Sequence, residues 1–250
     1  MAIEPELGGV LSARVALLTG ATGGIGRALA ERLGMAGVKL AIANQADSSG
    51  EALASAMAQR GCPALAFRAD MADPAGPQRL VQEVEVAFGP IEVLICNAAI
   101  GPRQSLEEVT AGDFDAVMAV NLRAPFLLAQ AVLPGMRRRG FGRVLFISSV
   151  AAFTGGSVGP HYAASKAGLL GLTHHLAPRQ ASFGVTVNAL APGLISPTGM
   201  VPREDAELAS RVPLGRLGRP SEVADLALAM LANGYLTDKV ITLDGGIHPR

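Results

Sequence analysis

Strand-length apolar runs recur along this chain at Val15–Leu18, Val38–Ala43, Ala64–Phe67, Ile91–Cys96, Val144–Ile147, Val185–Leu190 and Val240–Leu243. Unbroken apolar runs of this length are expected of parallel strands, which are buried on both faces. Between them lie segments such as Ile25–Met35 and Val223–Leu231, where apolar residues recur at three and four, the spacing of one helix face. Strand and helix alternating in this way predict an α/β fold with a single doubly wound parallel sheet of about seven strands. No tandem repeat or shift in composition marks a boundary, so residues 1–250 are expected to form one domain. The stretch from Pro192 to Arg219 is the exception to the alternation. It is long for a structureless connection and rich in proline and glycine, and it predicts a substrate lid around 193–219. The plainer alternative is an ordered surface excursion.

Composition narrows the function. Half of the 250 residues are apolar and 17% are charged, which excludes a disordered chain. The 21 basic and 21 acidic side chains cancel, so no bulk field draws the protein to nucleic acid or to an acidic membrane. Cys62 and Cys96 have neither metal nor disulfide spacing, which fits a reducing compartment. Glu4 and Glu6 precede only a short apolar run, unlike a secretory signal. No uninterrupted apolar stretch reaches about 18 residues, so no spanning helix is expected. A soluble cytoplasmic protein is the expectation.

Three local patterns carry chemistry. The first run leads into Thr19-Gly20-Ala21-Thr22-Gly23-Gly24-Ile25-Gly26, directly before a helical pattern. Glycines at a strand-to-helix turn let backbone approach a pyrophosphate, which the free N–H groups of the helix start stabilise. Second, Tyr162 and Lys166 are four apart in a helical pattern and therefore share a face. A cation about 4 Å from a phenol, at an effective dielectric near 20, is worth roughly 4 kcal/mol. That equals about 3 pK units and would bring the phenol near neutral pH. Third, Ser148 and Ser149 end the fifth run, where open α/β sheets bind ligands and where a hydroxyl can polarise a carbonyl.

With these residues the chain resembles the classical short-chain dehydrogenase/reductase family over nearly its whole length. Gly20, Gly24 and Gly26 match its cofactor turn; Asn121, Ser149, Tyr162 and Lys166 match its catalytic tetrad. Pro192-Gly193 and Asp244-Gly245-Gly246 match two further features. The resemblance implies a Rossmann-like fold and an NAD(P)-dependent oxidoreductase that interconverts a ketone and a secondary alcohol. It assigns proton exchange with the substrate oxygen to Tyr162, orientation of that oxygen to Ser149, and the nicotinamide ribose and a lowered phenol pKa to Lys166. Asn121 is assigned a water that links Lys166 to a proton relay. The implied cofactor residues are Gly20, Thr22, Gly23, Gly24, Ile25, Gly26, Asn44, Asp70, Met71, Asn97, Ala98, Ala99, Tyr162, Lys166, Pro192, Gly193, Ile195 and Thr198. The substrate is implied to be a small molecule, either a 3-oxoacyl thioester or a small sugar, polyol or keto compound. A homotetramer or homodimer is implied, paired through the apolar segments Phe114 to Met136 and Ala163 to Leu176. The other class of function is a dinucleotide-binding regulatory or structural subunit without turnover; loss of Tyr162 or Lys166 would have favoured it, and both are present.

Several residues depart from the family's pattern or invite other readings. Cys96 and Ala99 replace the outer Asn and Gly of the usual Asn-Asn-Ala-Gly, which predicts weaker local hydrogen bonding. Pro178 falls inside the helix after Tyr162 and predicts a kink or a cost near 3 kcal/mol. His174 and His175 are adjacent, so they point apart and predict no metal site. Asn44 stands where NAD-specific relatives carry an acid, and Gly23 where many NADP-specific ones carry a cation. Repulsion is removed without attraction being supplied, and a modest preference for NADP over NAD follows.

Overall fold

The computed structural model describes residues 9–45, 47–201, 203 and 205–248. Seven parallel strands form one sheet in the order β3-β2-β1-β4-β5-β6-β7. They are β1 (Val15–Thr19), β2 (Lys39–Asn44), β3 (Ala64–Arg68), β4 (Val93–Cys96), β5 (Gly142–Ile147), β6 (Val185–Pro192) and β7 (Val240–Leu243). The chain winds outward from β1 to one edge, then returns to place β4 on the other side of β1. That reversal opens a crevice at the carboxyl ends of β1 and β4, where ligands of open α/β sheets bind.

Every residue of β1, β4, β5 and β6 is buried, as their unbroken apolar runs require. Their side chains alternate between two cores. Ala16, Leu18, Val93 and Ile95 face one core, which is shared with α1 (Gly24–Met35), α2 (Asp47–Gln59) and, further along the chain, α9 (Pro220–Ala232). Val15, Leu17, Leu94 and Cys96 face the other, with α3 (Gly76–Phe88), α5 (Ala124–Arg139) and α7 (Pro160–Gln180). Fully burying a leucine or valine contributes roughly 1.5–3 kcal/mol, so this double lining is the main source of order.

The helical run Ala111–Arg139 corrects one expectation. It consists of α4 (Ala111–Met118), a π turn (Ala119–Arg123) and α5, and it is long and apolar enough to cross a membrane by length and composition. Polar residues interrupt its apolar runs without removing its average apolar character. Half of its most apolar window is buried in the fold, where Leu128, Val132 and Met136 pack on the sheet. Pro178 does not end α7, which continues to Gln180. Near the last turn a missing N–H removes at most one bond of the ladder. His174 pairs with Asp238 (Nδ1–Oδ1 2.7 Å) rather than with His175. Among the described residues no cluster of three metal-ligating side chains occurs.

Of the 193–219 segment, residues 202 and 204 lie outside the described set. The remainder contains the short helix α8 (Ala206–Ser210) and its own small core of Val201, Val212 and Leu217. Ile195 bridges Gly218 in the manner of a parallel strand. Through that bridge the two ends of the segment are held together.

Candidate active site

The glycine turn joins β1 to α1. Gly20 adopts φ +65°, and a Cβ there would lie 2.7 Å from Ala98 Cα. A Cβ on Gly26 would stand 2.1 Å from the Gly20 carbonyl oxygen, and one on Gly24 would stand 2.2 Å from that of Pro197. At Gly23, by contrast, a Cβ would meet only Gly20 O at 3.7 Å, so this part of the turn is open. Helix α1 has no side-chain cap and no acid in its first turn, which leaves its N-terminal N–H groups for an external anion. Narrow where backbone must approach and uncapped where charge is needed, the turn fits a dinucleotide pyrophosphate. Asn97 braces it: Nδ2 donates to Thr19 O (3.1 Å) and Gly20 O (2.9 Å), and the Thr19 hydroxyl accepts from the amides of Asn97 and Ala98. Asn97 and the Ala98 amide together tie the end of β4 to the turn, with Cys96 and Ala99 in place of the usual Asn and Gly.

A cavity of about 400 Å³ lies against this turn. It takes in every proposed cofactor residue except Asn44, Asp70 and Met71, and every tetrad residue except Asn121. Tyr162 opens the first turns of α7, Lys166 follows one turn later, and Ser149 projects from the loop between β5 and α6 (Ala151–Thr154). The Ser149 hydroxyl accepts from Ala151 N at 3.1 Å and lines the same cavity as the Tyr162 phenol. Lys166 Nζ donates to Ile147 O (2.8 Å) and lies 5.7 Å from the centre of the Tyr162 ring. Ser148 anchors this helix through its hydroxyl on Lys166 O, at 2.9 Å.

The electrostatics differ from the simple pairing read from spacing. Burial pushes the Tyr162 phenol above its ordinary value, and the Ser149 hydrogen bond opposes that rise. Burial lowers Lys166 to about 8. The ammonium is aimed at a main-chain carbonyl instead of the phenolic oxygen, so desolvation outweighs the expected stabilisation of phenolate. Burial likewise pushes the Cys96 thiol up, which makes it an inert buried group.

Asn121 sits on the π turn, 1% exposed, with both its amide oxygen and its amide nitrogen hydrogen-bonded. Its Oδ1 accepts from Ile100 N (2.9 Å), while Nδ2 donates to Ile100 O (2.8 Å) and Ser165 Oγ (3.1 Å). In this arrangement it clamps the loop after β4 onto α7. Asp70 caps its own turn by accepting from Ala72 N, and Met71 packs into the core. The Asn44 side chain is pressed under α2, where a Cβ on Gly50 would meet its Oδ1 at 2.0 Å; its Nδ2 is buried with no hydrogen-bond partner. Thr198 lines the cavity with its hydroxyl accepting from Val201 N. Sequence reasoning missed Arg103 on the cavity wall and the π turn under Asn121. No local signal marks either, since both depend on how the loop after β4 is held.

A dinucleotide-fitting turn at the switch point of a doubly wound sheet, facing a Ser, Tyr and Lys, defines a nicotinamide-dependent oxidoreductase class. The family model for short chain dehydrogenases matches residues 14–209, and the chain belongs to that family. It is an NAD(P)-dependent oxidoreductase. An uncharacterized oxidoreductase of Thermotoga maritima is 34% identical over 93% of this chain and 96% of its own length. The 3-oxoacyl-[acyl-carrier-protein] reductase of Escherichia coli is 32% identical over 94% and 97%. Among solved structures, a blue fluorescent protein from a metagenomic library in complex with NADPH superposes with a TM-score of 0.89. It is 36% identical and covers 96% of this chain and 99% of its own. None of these relatives favours the non-catalytic alternative.

Proposed function

We propose that the protein interconverts a ketone and a secondary alcohol, with Tyr162 as the proton donor and acceptor at the substrate oxygen. The carrying observation is that Ser149, Tyr162 and Lys166 meet in one cavity against the glycine turn. The dinucleotide, when bound, supplies or accepts the hydride. The chain's own residues do the rest. Ser149 orients the substrate oxygen beside the phenol, which gives up its proton in reduction and takes one in oxidation. Lys166 places a positive charge beneath Tyr162 and is the residue for the ribose hydroxyls. Asn121 positions Lys166's helix by holding Ser165. Gly20, Thr22, Gly23, Gly24, Ile25 and Gly26 are assigned the pyrophosphate, and Asn97, Ala98, Ala99, Pro192, Gly193, Ile195 and Thr198 the nicotinamide side. Residues 1–250 act as one domain in this reading, and the 193–219 segment acts as a lid; Leu194, Thr198 and Met200 on the cavity wall support that. A cytoplasmic location is read from Cys62 and Cys96, both buried and free.

The substrate half of the cavity is walled by Val158, Tyr162 and Met200 closing around Gly101, which supports a short keto or hydroxy compound. The names of several relatives favour a second reading, a 3-oxoacyl thioester. The decisive experiment is Tyr162→Phe. Turnover should fall by about a thousandfold or more, as for loss of a general acid, while NADPH binding followed by fluorescence persists. A near-native rate would overturn the assignment.

For the cofactor we propose a preference for NADP of about tenfold or less, roughly 1.4 kcal/mol. The unpartnered Asn44 amide and the lack of a cation at Gly23 support a weak rather than a strict choice. Asn44→Asp should move the ratio of kcat/KM values toward NAD. A wild-type ratio favouring NAD by more than about a hundredfold would refute the reading.

A further inference from the structure

Arg103 is the one charged side chain on the cavity wall, among the described residues, that has no task within the protein. The other cation there, Lys166, is buried and donates to Ile147 O. Arg103 is exposed and makes no hydrogen bond, ion pair or ring contact among the described residues. The carboxylates that follow it are turned elsewhere. Glu108 accepts from Ser105 N (2.7 Å). Asp113 accepts from Thr110 and from Gln104 Nε2. No acidic side chain lines the cavity among the described residues.

The loop that carries Arg103 is fixed at both ends. Ile100 is clamped through its N–H and C=O by Asn121, and Gln104 N donates to Val158 O at 3.0 Å. Between these points Gly101 packs so closely that a Cβ would lie 2.9 Å from the Tyr162 ring and 2.9 Å from the Met200 methyl. Two residues span at most about 7 Å, so the Arg103 backbone is held close to Gly101 and the Tyr162 ring, and its side chain lines the same cavity as Tyr162. A guanidinium offers paired donors that match a carboxylate or a phosphate.

We propose that Arg103 is an anion subsite and that the substrate is a small carbonyl or carbinol compound bearing a carboxylate or phosphate group. This rests on the oxidoreductase reading above and adds the class of substrate to it. The test uses matched pairs with NADPH: 3-oxobutanoate against its methyl ester and its N-acetylcysteamine thioester, and dihydroxyacetone phosphate against dihydroxyacetone. The anionic member of at least one pair should be favoured by about tenfold or more in kcat/KM, as expected of a charge-assisted paired contact. The pair that responds tells carboxylate from phosphate. Arg103→Gln should collapse that ratio chiefly through KM, and Arg103→Lys, which keeps the charge without the fork, should hold an intermediate ratio. NADPH affinity reports that the variants are folded. Neutral members turned over as well as anionic ones, or a ratio that survives Arg103→Gln, would overturn the proposal and leave the oxidoreductase reading standing. Absence of turnover across the panel would count against both.

Discussion

Lys166 is held where a cation is least stable, fully inside the protein, and its pKa falls to about 8 from 10.5. The unfolded chain therefore binds more protons than the folded one between these values. The penalty is complete below about pH 8 and disappears as pH rises toward 10.5, so this group makes stability rise across that window. Its size is about 3 kcal/mol by the pKa difference. Lys166→Met removes it and forfeits the charge-assisted bond to Ile147 O, worth about 1.5–3 kcal/mol. The variant should be inactive yet melt up to a few degrees higher at pH 7 without cofactor, at roughly 2–4 °C per kcal/mol. An unchanged or lower Tm would show that the buried charge is better compensated than this geometry indicates. The Tyr162–Lys166 pairing was legible from its spacing of four. The direction of the two pKa shifts was not, because it depends on burial and on where Nζ points.

At the scale of elements, the glycine turn separates two kinds of close contact. Gly26 faces the turn's own backbone, whereas Gly24 faces the Pro197 carbonyl of the 193–219 segment. Gly26→Ala should destabilise the fold by about 1–3 kcal/mol, the range for overpacking, because neither partner can yield. Gly24→Ala should displace the segment instead and raise the cofactor KM, with a smaller loss in Tm. Thermal melts and cofactor titrations on the two variants check this, and equal losses of stability would refute it. The turn was readable because it is local: strand, glycines and helix are contiguous. Asn121's clamp was not, since the π turn that presents it has no distinguishing sequence. Its partners Ile100 and Ser165 come from distant parts of the chain.

For the whole molecule, α4, the π turn, α5 and α7 leave a groove lined by Met118, Leu122, Phe126 and Leu172, with Asp115 and Arg123 also on its wall. Phe114 and Phe126 stand about 40% exposed beside it. Small residues on α7 admit close approach; a Cβ on Gly168 would strike Leu122, while Gly171 faces open space. We propose that a second copy of the chain covers this face, giving a homodimer or, through a further closed interface, a homotetramer. Light scattering should return a multiple of the 25.6 kDa chain mass, and Phe126→Glu should shift it toward the monomer. A wild-type mass of one chain at all concentrations would refute it.

The order and type of the elements were determined by the sequence itself, because parallel strands buried on both faces must be apolar throughout, and helices that cover them must be apolar along one stripe. So were the glycine turn and the Tyr162–Lys166 spacing, each contained within a few neighbouring residues. Only the tertiary structure decided that Lys166 would face Ile147, that Asn44 would lie beneath Gly50, and that Arg103 would have no counterion among the described residues. Those outcomes depend on desolvation and on side chains brought together from far along the chain, and neither is encoded in any one stretch of residues.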